Sequence, residues 1–157
     1  MGTRGLFGFY YKGNYYVVYN HLDSYPSGLG VNIVEEIKKE IENGNFNNWI
    51  TIIGKIKVVD DQIEPTNEDI NNLKKFTNLF VSNSDTSDWY RLLRNCQGSL
   101  CNILESGYIL NHVDKTGYPL FEEYGYIVNF DTNKLDFYIW GQKTDSYNFD
   151  QLPDWTD

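Results

Sequence analysis

Two runs of apolar residues near the N-terminus are spaced like a pair of β-strands. Residues 5–12 and 15–19 are rich in aromatic and β-branched side chains, which fit the half-buried surface of a sheet. Gly13 and Asn14 separate the two runs, and a two-residue connection containing glycine is typical of a β-hairpin. The pattern therefore predicts an N-terminal hairpin.

A helical pattern begins at Val31. Its apolar residues recur at intervals of three and four as far as Ile41, with glutamates and lysines between them. Asn43 and Gly44 are typical of a helix end. The stretch 46–56 keeps similar spacing, but its β-branched residues leave a strand open as the alternative to a helix.

Two further helical stretches are predicted between residues 66 and 106. Thr66 is suited to cap the first, and the polar residues 82–87 end it. Ser87 or Asp88 is suited to cap the second, which Gly98 interrupts. The expected buried positions are Ile70, Leu73, Phe76 or Thr77, Phe80, Trp89, Leu92, Leu93, Cys96, Leu100, Ile103 and Leu104.

Strand character returns in the last third of the chain. Residues 123–130 and 135–140 flank the turn residues 131–134 and are predicted to form a second hairpin, and residues 108–110 form a shorter candidate strand. Two hairpins with helices between them predict an α+β fold. We expect an antiparallel sheet built from an N-terminal and a C-terminal β-hairpin, with about three to four helices packed on one face. Residues 1–142 are predicted to form one domain, and residues 143–157 a polar tail that is partly docked or flexible.

Charge and cysteine content narrow the function classes. The net charge of −9 repels phosphate backbones and anionic lipids, so we expect neither direct nucleic-acid binding nor membrane binding. The two cysteines, Cys96 and Cys101, do not have the spacing of a zinc site, and we interpret them as buried reduced thiols of a soluble cytoplasmic protein. The sequence predicts no cofactor and no metal.

The segment 21–30 holds the densest group of polar and backbone-specifying residues. Gly28 and Gly30 permit unusual backbone angles or close approach. We expect the hairpin to bring Arg4, at the start of its first strand, near Asp23 and Tyr25, which follow its second strand. One interpretation is a polar pocket with a guanidinium, a carboxylate and a phenol. The other, which we favour, is an ion pair that fixes the loop, with Asp23 accepting backbone N–H groups.

The two histidines offer a further alternative. Both occur in His-x-Asp pairs, at His21 and at His112, and on an extended backbone each pair would present an imidazole and a carboxylate on one side. Two converging pairs would suit Zn²⁺ or Mn²⁺. We favour the interpretation that the histidines fall near acidic residues by chance.

The chain resembles a family of small proteins of unknown function. The resemblance is carried by Met1-Gly2-Thr3-Arg4, by Asp23-Ser24-Tyr25-Pro26-Ser27-Gly28-Leu29-Gly30 after an N-terminal hairpin, by Leu92-Leu93-Arg94-Asn95-Cys96-Gln97-Gly98 and by Glu122-Glu123-Tyr124-Gly125-Tyr126-Ile127-Val128. Members occur in bacteria and phages, fungi and large DNA viruses, and the fungal and viral types are the most similar. The resemblance implies an intracellular protein, located in the host cytoplasm or the virion if it is viral, and it implies no catalytic residue.

These patterns favour a binding role over catalysis. The expected function is a non-enzymatic protein-binding or self-associating module, whose partner is another protein or a second copy. The alternative is a small hydrolase or transferase with a polar pocket around Arg4, His21, Asp23 and Tyr25. An exposed aromatic patch would favour the first, and convergence of Arg4, Asp23 and Tyr25 on one open cleft would favour the second.

Overall fold

A five-stranded sheet carries the fold. The computed structural model describes residues 3–78 and 88–156, so the predicted buried Phe80, the predicted cap Ser87 and the polar break 82–87 lie outside the described residues. The strands of the main sheet are β1 Gly5–Tyr11, β2 Asn14–Asn20, β5 Tyr124–Asn129, β6 Lys134–Ile139 and β7 Gln142–Asn148. Two short strands, β3 Lys57–Val58 and β4 Tyr108–Ile109, pair in parallel as a separate small sheet.

The main sheet has the order β2-β1-β5-β6-β7 and joins the two predicted hairpins. Each hairpin is antiparallel, whereas β1 and β5 run parallel, with Gly5 opposite Tyr124. The predicted α+β class is confirmed, but the sheet is mostly rather than wholly antiparallel. Parallel neighbours need a long crossover connection, and the residues between β2 and β5 supply it through the helical layer.

Two details of the strands differ from the sequence prediction. The first hairpin turns at Lys12 and Gly13, one residue earlier than predicted, because these two residues take left-handed φ values of 50° and 78°. Residues 142–148, most of which fall in the predicted polar tail, form the edge strand β7. An exposed edge strand is polar, so its hydrophobic pattern is weak.

The helices lie against one face of the main sheet. The described residues contain α1 Val31–Glu42, α2 Phe46–Ile53, α3 Asn67–Asn72, α4 Trp89–Leu92 and α5 Leu100–Ser106. The stretch 46–56 is therefore helical as far as Ile53 and ends in a turn that leads into β3. None of the helices in the described ranges is long and apolar enough to cross a membrane.

The core between sheet and helices is rich in aromatic residues. The sheet contributes Phe7, Phe9, Tyr126, Val128, Leu135 and Phe137, and the helices contribute Ile33, Ile37, Trp49, Ile53, Leu92, Leu100 and Ile103. The opposite face carries a smaller cluster of Leu6, Val17, Ile127 and Tyr138, against which Val113 and Phe121 pack. The alternation of side chains along β1 thus divides its residues between two apolar clusters.

Side-chain caps fix where the helices begin. Thr66 forms a capping box with Asp69, as its hydroxyl accepts the Asp69 N–H and the Asp69 carboxylate accepts the Thr66 N–H. At α5 the cap is Ser99, and the Glu36 carboxylate from α1 also accepts the Leu100 N–H at 2.8 Å. These bonds fix the starts of α3 and α5, and α5 contributes Ile103 to the cleft described below.

Candidate functional site

Residues 21–30 form a packed corner between β2 and α1. Ser24 is fully buried, its N–H donates to the Thr3 carbonyl oxygen at 3.0 Å, and its own carbonyl oxygen accepts the Tyr126 hydroxyl at 2.7 Å. The chain then enters a π-helical turn, Pro26–Gly30, that runs directly into α1. The corner is therefore held by a backbone bond to Thr3, just before β1, and by a side-chain bond from Tyr126 of β5.

The two glycines of this corner are required by close packing. A Cβ atom at Gly28 would lie 2.4 Å from the Asp23 carbonyl oxygen, and one at Gly30 would lie 2.7 Å from the Trp155 ring. Both distances are far inside van der Waals contact. The two residues that the sequence singles out thus have a steric role in the fold.

Arg4 does not meet Asp23. Among the described residues no ion pair joins them, and the Asp23 carboxylate instead accepts the Tyr25 hydroxyl at 3.4 Å. Asp23 has a left-handed φ of 54°, and its backbone carbonyl, rather than its carboxylate, accepts the Leu29 N–H at 2.9 Å. The predicted Arg4–Asp23 ion pair is wrong, because this turn directs the carboxylate to the surface.

The predicted residues are divided between two clefts. Asp23, Tyr25 and Gly28 line a corner cleft of about 400 Å³. Arg4 lines a separate cleft of about 440 Å³, within the range of ligand sites. The geometry does not bring together the guanidinium, carboxylate and phenol that the enzyme alternative requires.

Both histidines lie beside Tyr19. The Tyr19 hydroxyl is 2.8 Å from His21 Nδ1, and the Tyr19 and His112 rings are 5.4 Å apart between centroids. Asp114 is occupied elsewhere, since its carboxylate accepts N–H and O–H groups of Thr116. Within the described ranges, no group of three or more histidine, cysteine or acidic side chains is placed to hold a metal ion.

The larger of these two clefts lies between the outer edge of β2 and the small sheet of β3 and β4. We call it the β2 cleft. Its apolar wall comes from the helical side, and its polar wall includes residues on the opposite side of the sheet. The apolar wall is Val18, Leu93, Cys96, Ile103, Ile109 and Leu110, and the polar residues are Arg4, Tyr19, Asp61, Tyr90, Gln97, Tyr108, Asn111, His112 and Glu122.

Most of the edge of β2 is covered by distant parts of the chain. The Asn111 side chain accepts the Val17 N–H at 2.7 Å and donates to the Tyr15 carbonyl oxygen at 2.9 Å, as a neighbouring strand would. The His112 N–H donates to the Val17 carbonyl oxygen at 2.9 Å. Further along, the Gln97 side chain accepts the His21 N–H at 3.0 Å.

Tyr19 is the gap in this covering. Backbone groups alternate in direction along a strand, so the Tyr19 N–H and C=O point away from β1, as those of Val17 do. In the described part of the chain, no hydrogen-bond partner is found for either Tyr19 group, whereas both groups of Val17 and the N–H of His21 have one. The β2 cleft therefore exposes one donor and one acceptor of a strand edge.

The electrostatics of the cleft favour neutral hydrogen-bonding groups over nucleophiles. Burial raises the pKa of the Tyr19 hydroxyl, and the Arg4 guanidinium opposes that rise. Burial also raises the pKa of the Cys96 thiol to about 11, so this thiol is protonated at neutral pH and is a poor nucleophile. His112 Nε2 lies 3.4 Å from the Glu122 carboxylate, which gives that acid a partner within the cleft wall.

The sequence singled out Arg4 and His112 as candidate site residues but gave no signal for most of this site. Asn111 and Gln97 are single polar residues without a periodic pattern, and their partners in β2 lie 94 and 76 residues away in the chain. Only the fold brings them together. No protein-family model, curated protein or solved structure matches the chain.

Proposed function

We propose that this protein is a binding module that takes up a short extended segment of another protein at the β2 cleft. The observation that carries the proposal is the uncovered N–H and C=O pair of Tyr19 at the edge of β2. An extended peptide presents a carbonyl and an amide at the spacing of a strand, and edge pairing of this kind is a common mode of peptide recognition.

The surroundings of Tyr19 also suit a peptide. A guest strand beside β2 would direct alternate side chains to the two faces of the sheet. One face offers the apolar wall of Val18, Leu93 and Ile103, and the other offers polar side chains. The protonated Cys96 thiol and the separation of Arg4 from Asp23 give no support to a catalytic centre.

The test is a selection of peptides followed by residue-level hydrogen exchange. Phage-displayed random heptapeptides would be selected on the immobilised full chain, and an enriched peptide would be synthesised and added to labelled protein. We expect exchange of the Tyr19 amide to slow by about tenfold or more at saturation, because a hydrogen bond forms there. The Val17 amide is already bonded to Asn111 and should not change.

A matched pair of variants controls for non-specific binding. Val18→Lys places a charge in the apolar wall, whereas Val58→Lys places the same charge on a side chain that is 49% exposed and outside the cleft. Only Val18→Lys should abolish binding, with the fold of both variants checked by circular dichroism. The proposal would be overturned if the peptide slowed exchange of β7 amides in place of the Tyr19 amide. It would also be overturned if slow exchange at Tyr19 depended on the protein concentration and not on the peptide.

A further inference from the structure

The side of the sheet on which the Tyr19 side chain lies determines which wall of the β2 cleft one residue of the bound segment would contact. In a sheet, the residue directly opposite Tyr19 projects from the same face as Tyr19, and its two neighbours project from the face of Val18. The guest residue opposite Tyr19 would therefore meet the polar wall. Its neighbours would meet the apolar wall, which includes Leu93 and Ile103.

Among the described residues that line the β2 cleft, Arg4 is the only arginine or lysine, and Asp61 and Glu122 are the acidic residues. Arg4 and Tyr19 line the same cleft, Arg4 is exposed, and its guanidinium acts to lower the pKa of the Tyr19 hydroxyl. Among the described residues no carboxylate lies within ion-pair distance of Arg4. Glu122 lies 3.4 Å from His112 Nε2, a contact that is an ion pair only when the imidazole is protonated. The planar guanidinium matches a carboxylate with two parallel hydrogen bonds.

We infer that Arg4 makes the β2 cleft selective for extended segments that carry a carboxylate opposite Tyr19, with aliphatic residues on either side. This inference rests on the proposed function and names the class of segment that the module takes. Arg4 is then a specificity-determining residue, and the aliphatic neighbours provide the apolar contact. The net charge of −9 does not oppose it at short range, because charges beyond a Debye length of about 8 Å are largely screened at physiological salt.

The test compares two peptides that differ only in whether one side chain ends in a carboxylate or a carboxamide. The guest residue opposite Tyr19 is identified by cross-strand NOEs to the Tyr19 amide proton in the complex with a selected peptide, because the Tyr19 Hα faces Leu6 of β1. The peptide is then made with Glu or Gln at that position. We expect the Glu peptide to bind about five- to tenfold more tightly to the wild type at low salt, which is about 1 to 1.4 kcal/mol. The preference should shrink at 0.5 M NaCl.

Arg4→Gln removes the charge and should make the two affinities equal. Lys55→Gln removes the same charge from an exposed position outside the cleft and should leave the preference intact. Equal binding of the two peptides to the wild type, with the Tyr19 amide protected by both, would overturn this inference while the proposed function stands. Failure of every selected peptide to protect Tyr19 would instead overturn the proposed function.

Discussion

A single buried carboxylate links three elements near the cleft. Asp69 is only 5% exposed, and its carboxylate accepts the Thr66 N–H at 2.9 Å, the Tyr108 hydroxyl at 2.8 Å and the Lys57 ammonium at 3.1 Å. The Thr66 N–H is the largest cause that holds the pKa of Asp69 well below its usual range, and the Tyr108 and Lys57 bonds act in the same direction. The Asp69 carboxylate, which takes part in the capping box of α3, thus also holds Tyr108, a residue that lines the β2 cleft.

Asp69→Asn should flatten the acid side of the stability profile. Because the folded pKa of Asp69 lies below the unfolded value of about 3.9, its contribution is present above that pH and is lost as the pH falls towards the folded pKa. We expect the wild type to lose about 2 kcal/mol of unfolding free energy from this group between pH 6 and pH 2. Urea unfolding at several pH values measures the loss.

Asp150→Asn is the control for this prediction, because Asp150 is an exposed residue. Its pH profile should follow that of the wild type. An Asp69→Asn profile as steep as the wild-type profile would show that other carboxylates dominate acid unfolding.

At the scale of elements, the β1–β2 and β6–β7 hairpins have the same kind of two-residue turn, but the residues in the two turns differ. Lys12 and Gly13 have φ values of 50° and 78°, and Trp140 and Gly141 have 47° and 79°. Two consecutive left-handed residues are typical of a type I′ turn, whose first position favours Asn, Asp or Gly. A tryptophan there is strained, and it is also 69% exposed.

Trp140→Asn should therefore stabilise the protein, whereas Trp155→Asn should destabilise it. Asn tolerates the left-handed conformation, so we expect a gain of about 0.5–1 kcal/mol, or roughly 1–4 °C in melting temperature. The Trp155 ring contacts the Tyr126, Phe137 and Tyr147 rings at centroid distances of 5.0–5.7 Å, and its loss should cost about 2–3 kcal/mol. Thermal unfolding of both variants checks the opposite signs, and a destabilised Trp140→Asn would contradict the turn argument.

Local patterns predicted the elements that depend on local causes. The spacing of apolar residues from Val31 predicted α1, and Thr66 predicted the start of α3. The runs of aromatic residues predicted the β1–β2 and β5–β6 hairpins. They did not reveal the parallel pairing of β1 with β5, since a strand carries no local signal for the direction of its neighbour. They also missed β7, because its outward residues are polar along almost its whole length.

At the scale of the whole molecule, the two edges of the sheet are protected differently. β7 has a register irregularity next to Lys143, and bulges and lysines on edge strands discourage pairing with other chains. β2 is instead covered by Asn111 and His112 up to Tyr19. The candidate site could not be predicted from the sequence for this reason, since it is the gap left by a covering segment about ninety residues away along the chain.

Asn111 is therefore the residue whose loss should open the β2 edge. Asn111→Leu removes both the acceptor for the Val17 N–H and the donor to the Tyr15 carbonyl oxygen. Leaving these two groups unpaired should cost about 1–3 kcal/mol of unfolding free energy and should speed exchange of the Val17 amide. An uncovered edge also promotes pairing between copies, so we expect concentration-dependent self-association by sedimentation velocity.

Asn111→Asp separates the two bonds within this prediction. Its carboxylate still accepts the Val17 N–H but cannot donate to the Tyr15 carbonyl oxygen, so slow exchange at Val17 should persist while stability falls between those of the wild type and Asn111→Leu. If Asn111→Leu kept wild-type stability, wild-type exchange at Val17 and a monomeric state, the edge would not depend on Asn111. The unpaired N–H and C=O of Tyr19 would then no longer support a peptide partner. An edge that is stable with Val17 unpaired gives no reason to expect a partner at Tyr19.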